Sequence, residues 1–344
     1  MNENAVARIN PPPVPVKKDW PDDDESLLEL TQDGQPSRPE NFWCLKDAFE
    51  GVQVFGGTGS GKSSGSGQAL ARAFLDSAMG GLVLTAKTDE VLSWKNYAAA
   101  TGRERDLIIV EPGGQHRFNF LSYELKRPGS GAGQTENLVN LFCSVLEAAE
   151  RKQGQGGGND AYWQRTLKQL LRNAIDLAIL ALDDIDLPSL YRIITSAPRS
   201  IQEADEHSWR ESSACFALLE VAKERVAKTD SSKTQKGDFE LTQDFWLREY
   251  PALAPETRSI IVSTFTSMAD CFMRGLLREL FCSELTFRPE DSFSGKVIVL
   301  NLPIKEFNEL GQFAQVLFKY IWQRAVERRV PSGISRTMAE QTIR

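Results

Sequence analysis

Residues 54–64 read V-F-G-G-T-G-S-G-K-S-S, and residues 56–63 satisfy the pattern G-x-x-x-x-G-K-[ST] in full. The apolar residues 52–55 predict a strand directly before this pattern, and residues 68–78 predict an amphipathic helix directly after it. Glycines in such a loop let backbone N–H groups close around a phosphate, and the start of the helix favours negative charge. The sequence therefore predicts a phosphate-binding loop.

The chemistry expected of this loop is the binding of ATP together with Mg²⁺. The Lys62 ammonium is expected to neutralise oxygens of the β- and γ-phosphates. The Ser63 hydroxyl is expected to ligate a Mg²⁺ ion that bridges those phosphates. The candidate nucleotide-binding residues are those of the loop itself: Gly56, Gly57, Thr58, Gly59, Ser60, Gly61, Lys62, Ser63 and Ser64.

The order of apolar runs along the rest of the chain predicts the fold class. Short runs predict strands over 82–85, 107–110 and 297–300, and three longer patterns predict helices over 138–146, 161–182 and 312–328. Strands alternating with helices are typical of a parallel sheet. We therefore predict an α/β fold of the P-loop NTPase (RecA-like) type, a parallel sheet flanked by helices, with an all-α insertion.

Composition sets the expected domain boundaries. Proline-rich and acidic segments predict a disordered leader over 1–40 that can be deleted without loss of stability. The α/β core is expected over 41–184 and again over 261–330. The all-α insertion is expected over 185–260, and a tail over 331–344.

Charge, cysteine and histidine content exclude several classes of protein. The net charge of −7 and the pI of about 5.2 argue against a polybasic membrane binder. The five cysteines contain no CxxC pair, which indicates a reduced compartment. With only His116 and His207 present, a histidine-based zinc site and a Ser–His–Asp triad are disfavoured. No stretch is long and apolar enough to span a bilayer, so a cytoplasmic chain without an integral membrane segment is expected.

Hydrolysis of ATP also requires a carboxylate at the end of a neighbouring strand. Glu111 ends the predicted strand over 107–110, but Pro112 follows it at once. Asp183 and Asp184 follow a short apolar run, as the acidic residues of an ATPase strand do, but the residues before them predict a continuous helix. Asn301 ends the best predicted strand and is a poor metal ligand. The catalytic residue is therefore left unassigned, and its absence from this chain is the preferred interpretation.

Five stretches in this order resemble the type IV coupling proteins of the TraG/TraD kind, within the FtsK/HerA superfamily of DNA-pumping ATPases. They are the loop at 54–64, L-V-L-T-A-K-T-D-E at 82–90, R-F-N-F-L at 117–121, N-D-A-Y-W at 159–163, and R-P-E-D-S-F-S-G-K-V-I-V-L-N-L-P at 288–303. Lys87 matches the family pattern, whereas Thr85 stands where Asp is usual and Phe120 where Pro is usual. The resemblance covers roughly residues 45–330.

The resemblance implies an ATPase that drives DNA translocation in conjugation. It implies partners as well: single- or double-stranded DNA, a relaxase or a secretion-machine component, and other copies of the chain in a ring, with any membrane association made through partners. It places the family's acidic strand and arginine finger after the helix that ends near Arg328, so the chain resembles a motor domain that stops before the Walker B strand.

Two other functions remain open at this stage. A nucleotide-binding assembly or regulatory module without its own turnover is favoured by the missing acidic strand. A different P-loop enzyme is disfavoured: an ABC-type ATPase lacks support because no LSGGQ-like signature is present, and a small-molecule kinase because of the large helical insertion. Arg258, Arg274 and Arg278 could reach the phosphates bound by a neighbouring copy, but ion pairing on helix surfaces is the preferred interpretation.

Overall fold

The structure is a computed structural model that describes residues 26–29, 42–150, 160–228 and 233–329. The chain divides into two compact units. Unit 1 comprises Met1–Val110 and Pro289–Asn308, and unit 2 comprises Glu111–Arg288 and Glu309–Arg344. The predicted domain boundaries at 184 and 260 both lie inside unit 2.

The described strands are β1 (Ser26–Glu29), β2 (Phe42–Cys44), β3 (Gly81–Leu84), β4 (Leu107–Val110) and β5 (Val297–Leu300). The described α-helices are α1 (Leu45–Phe49), α2 (Ser66–Asp76), α3 (Glu90–Ala100), α4 (Phe120–Lys126), α5 (Thr135–Glu150), α6 (Asp160–Ala181), α7 (Leu187–Thr195), α8 (Ile201–Asp205), α9 (His207–Ser212), α10 (Ala214–Lys228), α11 (Lys233–Asp244), α12 (Tyr250–Ala252), α13 (Pro255–Asp270), α14 (Gly275–Phe281) and α15 (Ile304–Glu327). A π-helical turn, Phe245–Glu249, joins α11 to α12, and Asn308 kinks α15 at a φ of 49°.

Unit 1 is built on a three-stranded parallel sheet in the order β3-β5-β4. Val297 is in register with both Gly81 and Leu107, and every residue of β5 is buried. The runs predicted over 82–85, 107–110 and 297–300 are confirmed as strands within one residue. The sheet and its flanking helices confirm the α/β class.

Helix α2 connects two apolar clusters of unit 1. Leu75 packs with Val297 and Val299 of the central strand β5. On another face, Ala69 and Ala73 pack in the cluster that contains Leu27 and Leu28 of β1. Because α2 follows the predicted phosphate loop directly, these two clusters hold the loop's C-terminal end against the unit 1 core.

The predicted strand over 52–55 is wrong. These residues have no regular secondary structure, and the Val52 and Phe55 side chains are 50% and 81% exposed. An apolar run becomes a strand only when a neighbouring strand pairs with it. Within the described residues, the sheet consists of β3, β5 and β4, and none of them pairs with 52–55.

The prediction of a disordered leader over 1–40 is wrong for Ser26–Glu29. These residues form β1, which pairs antiparallel with β2. Leu27 and Leu28 are 1% and 3% exposed, so this short strand contributes to the core despite the breaker-rich sequence around it. The rest of the leader and the predicted tail over 331–344 lie outside the described residues.

Unit 2 is helical apart from one isolated bridge between Phe118 and Leu285, as far as its described residues extend. Helix α6 contacts α5, α7, α10, α11 and α13 and forms the centre of the unit. Helices expected over 138–146 and 161–182 are confirmed as α5 and α6. Most of the described residues of 185–260 also lie in helices, and helices continue through α14 to Phe281, well past the predicted boundary at 260.

Among the described residues, no single helix is both long enough and apolar enough to span a membrane. Helices α13 and α14 reach the length and apolar composition of a membrane span only when they are taken together. The two helices are bent by 85° relative to each other.

Candidate phosphate-binding site

The loop at 56–65 adopts a conformation that depends on glycine. Gly59 and Gly61 have φ angles of +80° and +81°, in the region that favours glycine over residues with a Cβ. After Gly61 the backbone turns into the helix, since Gly65 N–H donates to Gly61 O at 2.7 Å and Gly67 N–H donates to Lys62 O at 2.8 Å. The loop therefore leads into α2, which begins at Ser66, two residues before the predicted start.

The Lys62 ammonium folds back over the start of the loop. Its Nζ donates to the carbonyl oxygens of Gly56 and Gly57 at 2.6 and 2.7 Å. The side chain of Lys62 is half-buried, while Ser63 and Ser64 are exposed. A cation held by two neutral carbonyls has acceptors that an anion can replace, because hydrogen bonds between ionised partners are stronger.

The glycines of the loop provide the close backbone approach that a phosphate requires. A Cβ on Gly56 would lie 2.3 Å from Ser60 Oγ and 3.2 Å from Lys62 Cγ. A Cβ on Gly57 or Gly59 would meet no atom within 4 Å. The residues present thus fit the phosphates of a nucleotide: Lys62 as the cation, the loop amides as donors, and Ser63 as a candidate ligand of a nucleotide-bound Mg²⁺.

The carboxyl ends of β3 and β5 are joined by hydrogen bonds. Thr85, 1% exposed, donates through Oγ1 to Leu300 O at 2.8 Å. Asn301 N–H donates to Val110 O at 2.9 Å, which links the end of β5 to β4. Ligands bind at this edge in open parallel sheets. The residue that follows the central strand β5 is Asn301, and Glu111 follows β4 directly.

Asp183 and Asp184 do not end a strand but lie in the loop after α6. Asp183 is paired with Arg225 at 2.9 Å, and this hydrogen bond lowers the pKa of its carboxyl group. Asp184 is paired with Lys126 at 2.7 Å and accepts from Ser122 Oγ at 2.9 Å. Both carboxylates are therefore engaged in contacts within unit 2.

No cluster of three or more His, Cys, Asp or Glu side chains suited to a metal ion occurs in the described part of the chain. The expected Mg²⁺ thus depends on Ser63 and on the nucleotide itself. Sequence reasoning missed the hydrogen bond of Thr85 and the carbonyl contacts of Lys62. Neither has a sequence signal, because both depend on which backbone carbonyls the fold brings within reach.

The chain matches the family model described as type IV secretory system conjugative DNA transfer over residues 17–338. The match covers nearly the whole sequence, and the chain belongs to this family. Searches among curated proteins and among solved structures gave no match. The resemblance to type IV coupling proteins is confirmed at the level of the family, and membership supports a role in DNA transfer by type IV secretion.

Proposed function

We propose that this chain is the ATP-binding motor subunit of a conjugative DNA-transfer machine. Family membership supports the role in DNA transfer. The loop Gly56–Ser64 supports the binding of ATP, because left-handed glycines, an inward-turned lysine and a following helix are the features that phosphate binding requires. The single observation that carries the proposal is the Lys62 ammonium held over this loop.

Four residues of the loop have a defined task in this proposal. Lys62 exchanges the carbonyls of Gly56 and Gly57 for phosphate oxygens, and Ser63 offers its exposed hydroxyl to Mg²⁺. Bound Mg-ATP would supply the phosphoryl group whose transfer to water drives translocation. The positive φ angles of Gly59 and Gly61 hold the backbone in the curved form that turns successive N–H groups inward.

The remaining partners follow from the proposed motor function. DNA, single- or double-stranded, is the transported polymer, and a relaxase or secretion-machine component delivers or receives it. Copies of the chain assemble into a ring on the cytoplasmic side and reach the membrane through these partners.

A second function, a nucleotide-binding module without its own turnover, is favoured by one specific observation. The central strand β5 is followed by Asn301, and Asp183 and Asp184 are engaged in ion pairs. Such a module would bind ATP to regulate assembly and leave hydrolysis to another subunit. Phosphate release, measured with and without DNA, separates it from the motor.

Binding of ATP is tested by titration calorimetry on Lys62→Ala. We expect this variant to lose ATP binding, while its free energy of unfolding changes by less than about 1 kcal/mol because Lys62 supplies charge and little packing. Lys95→Ala, which removes the same charge from an exposed position on α3, is the matched control and should bind ATP normally. Equal affinities in the two variants would refute the assignment.

A further inference from the structure

A polar cavity lies within unit 2, and none of its lining residues belongs to the loop at 56–64. Its volume is about 460 Å³, and it is lined by residues between Ile194 and Arg199, by Tyr250, and by the first three turns of α13. Two arginines, Arg199 and Arg258, line it, and none of the lining residues is acidic.

The two arginines bring positive charge to a lining that contains no carboxylate. Among the described residues, no ion pair joins the side chain of Arg199 or Arg258 to a carboxylate, so the interpretation of Arg258 as an ion-pairing residue is wrong. The Glu203 carboxylate, which does not line the cavity, accepts a hydrogen bond from the backbone N–H of Arg199. Arg274, by contrast, pairs with Asp270 at 2.9 Å as expected. Two cations in one cavity that contains no acid favour an anionic ligand.

Arg258 is held in position by the backbone. Its Nη1 donates to the carbonyls of Pro251 and Leu253 at 3.3 and 3.1 Å. The remaining N–H groups of this planar guanidinium have no partner among the described residues, and Arg258 is one of the residues that line the cavity. A guanidinium fixed in this way loses little side-chain entropy when it binds an anion.

Two further features of the lining suit an anion. Helix α13 begins at Pro255, and no side chain in the described residues caps its N-terminus, so its dipole adds positive potential on this side of the cavity, partly offset by Glu256 in its first turn. The Tyr250 hydroxyl is a neutral donor at neutral pH, as in any tyrosine, and burial raises its pKa further, to about 12, although Arg258 and Arg199 act in the opposite direction.

We propose that this cavity binds a phosphate group, in addition to and independently of the nucleotide expected at Gly56–Ser64. A planar carboxylate is satisfied by the fork of one arginine. Here two arginines on separate segments, together with Tyr250, Ser259 and the first residue of helix α13, line one space. Donors that converge from several directions match the tetrahedral oxygens and higher charge of a phosphate. The phosphate source is either free in solution or the backbone of DNA.

Titration of the Lys62→Ala protein tests this proposal, because that substitution removes the phosphate loop as a competing site. The probes are inorganic phosphate, a short oligothymidylate and an oligoglutamate peptide. We expect a phosphate probe to bind and its affinity to fall about tenfold in Arg258→Gln and in Arg199→Gln, since each loses charge-assisted hydrogen bonds. Binding of inorganic phosphate identifies a free ligand, and binding of the oligothymidylate alone identifies the DNA backbone.

Arg274→Gln is the matched control, since it removes the same charge from a residue that is ion-paired and outside the cavity. Arg258→Gln gives up contacts with the backbone, so thermal melts check its folding. The side chain of Arg199 makes no hydrogen bond to the backbone of the described residues, so Arg199→Gln decides the result if Arg258→Gln is unstable. Absence of binding by both phosphate probes, preferential binding of oligoglutamate, or equal losses in Arg274→Gln would overturn the proposal.

Discussion

The position of the Lys62 side chain bears on how the proposed binding of an anion would proceed. Its ammonium already lies over the loop, on the carbonyls of Gly56 and Gly57. Binding of a phosphate therefore exchanges two neutral acceptors for charged ones and does not require the lysine to come in from solvent. Such an exchange is favourable because charge-assisted hydrogen bonds are about twice as strong as neutral ones.

Gly61→Ala is predicted to weaken ATP binding about tenfold. Gly61 has a φ of +81°, and a residue with a Cβ pays about 1–2 kcal/mol to adopt the left-handed region. Gly57→Ala is the matched control: Gly57 does not have a positive φ, and its added Cβ would meet no atom within 4 Å. Titration calorimetry with ATP measures both variants. Similar losses in the two would contradict a role for the left-handed backbone.

Thr85→Val is predicted to lower the free energy of unfolding by about 1 kcal/mol. The substitution keeps the shape of a buried side chain and removes the hydroxyl that donates to Leu300 O at 2.8 Å. Thr88→Val, at an exposed position three residues further along the chain, is the control and should change little. Urea unfolding of the three proteins gives the comparison, and an unchanged midpoint for Thr85→Val would show that the hydrogen bond contributes nothing.

At the scale of elements, the hairpin β1–β2 is part of the unit 1 core and not a dispensable arm. Leu28→Ala is predicted to destabilise the protein by about 2–5 kcal/mol, because Leu28 is 3% exposed and packs in the cluster that contains α2. Leu92→Ala, at a residue 59% exposed on α3, should cost much less. Thermal melts compare the two variants. A melting temperature for Leu28→Ala equal to that of the unmodified chain would restore the view of a disordered leader.

The strands β3, β4 and β5 could be predicted because each is a short apolar run that pairs within one sheet, with β5 fully buried at its centre and β3 and β4 partly buried at its edges. The same reasoning failed for 52–55, where the apolar run is present but the described residues provide no pairing strand. For Ser26–Glu29 the reasoning missed a strand that the structure contains. This strand is too short to stand out in the sequence, and it pairs with Phe42–Cys44.

The candidate binding residues also fall into those that the sequence predicts and those that it does not. The residues of the phosphate loop follow from a contiguous pattern, since the loop's glycines, lysine and serine are neighbours in sequence. The cavity with Arg199 and Arg258 could not be predicted, because its lining is assembled from segments that only the packing of helices brings together. Sequence spacing likewise could not show that Arg258 bonds to carbonyls while Arg274 bonds to a carboxylate.

At the scale of the whole molecule, the distribution of carboxylates limits what the chain does by itself. Asp183 and Asp184 are engaged by Arg225 and Lys126 at the end of α6. Asn301 follows β5, the strand that is central and fully buried in the sheet. Glu111, which directly follows β4, remains as a candidate for the catalytic carboxylate. The described residues therefore account for the proposed binding of a nucleotide more completely than for its hydrolysis.

We predict that the purified chain binds Mg-ATP but releases phosphate much more slowly than about 1 s⁻¹, with or without DNA. Lys62, Ser63 and the loop amides are sufficient to hold phosphates, whereas rapid transfer also needs a carboxylate that positions Mg²⁺ and water, and an arginine that is worth about 10³–10⁵ in rate. Steady-state phosphate release at saturating Mg-ATP is the measurement, with Lys62→Ala as the blank. Turnover near 1 s⁻¹ that is abolished by Glu111→Ala or Asp183→Ala would identify a catalytic carboxylate within this chain and favour the motor over the module without turnover.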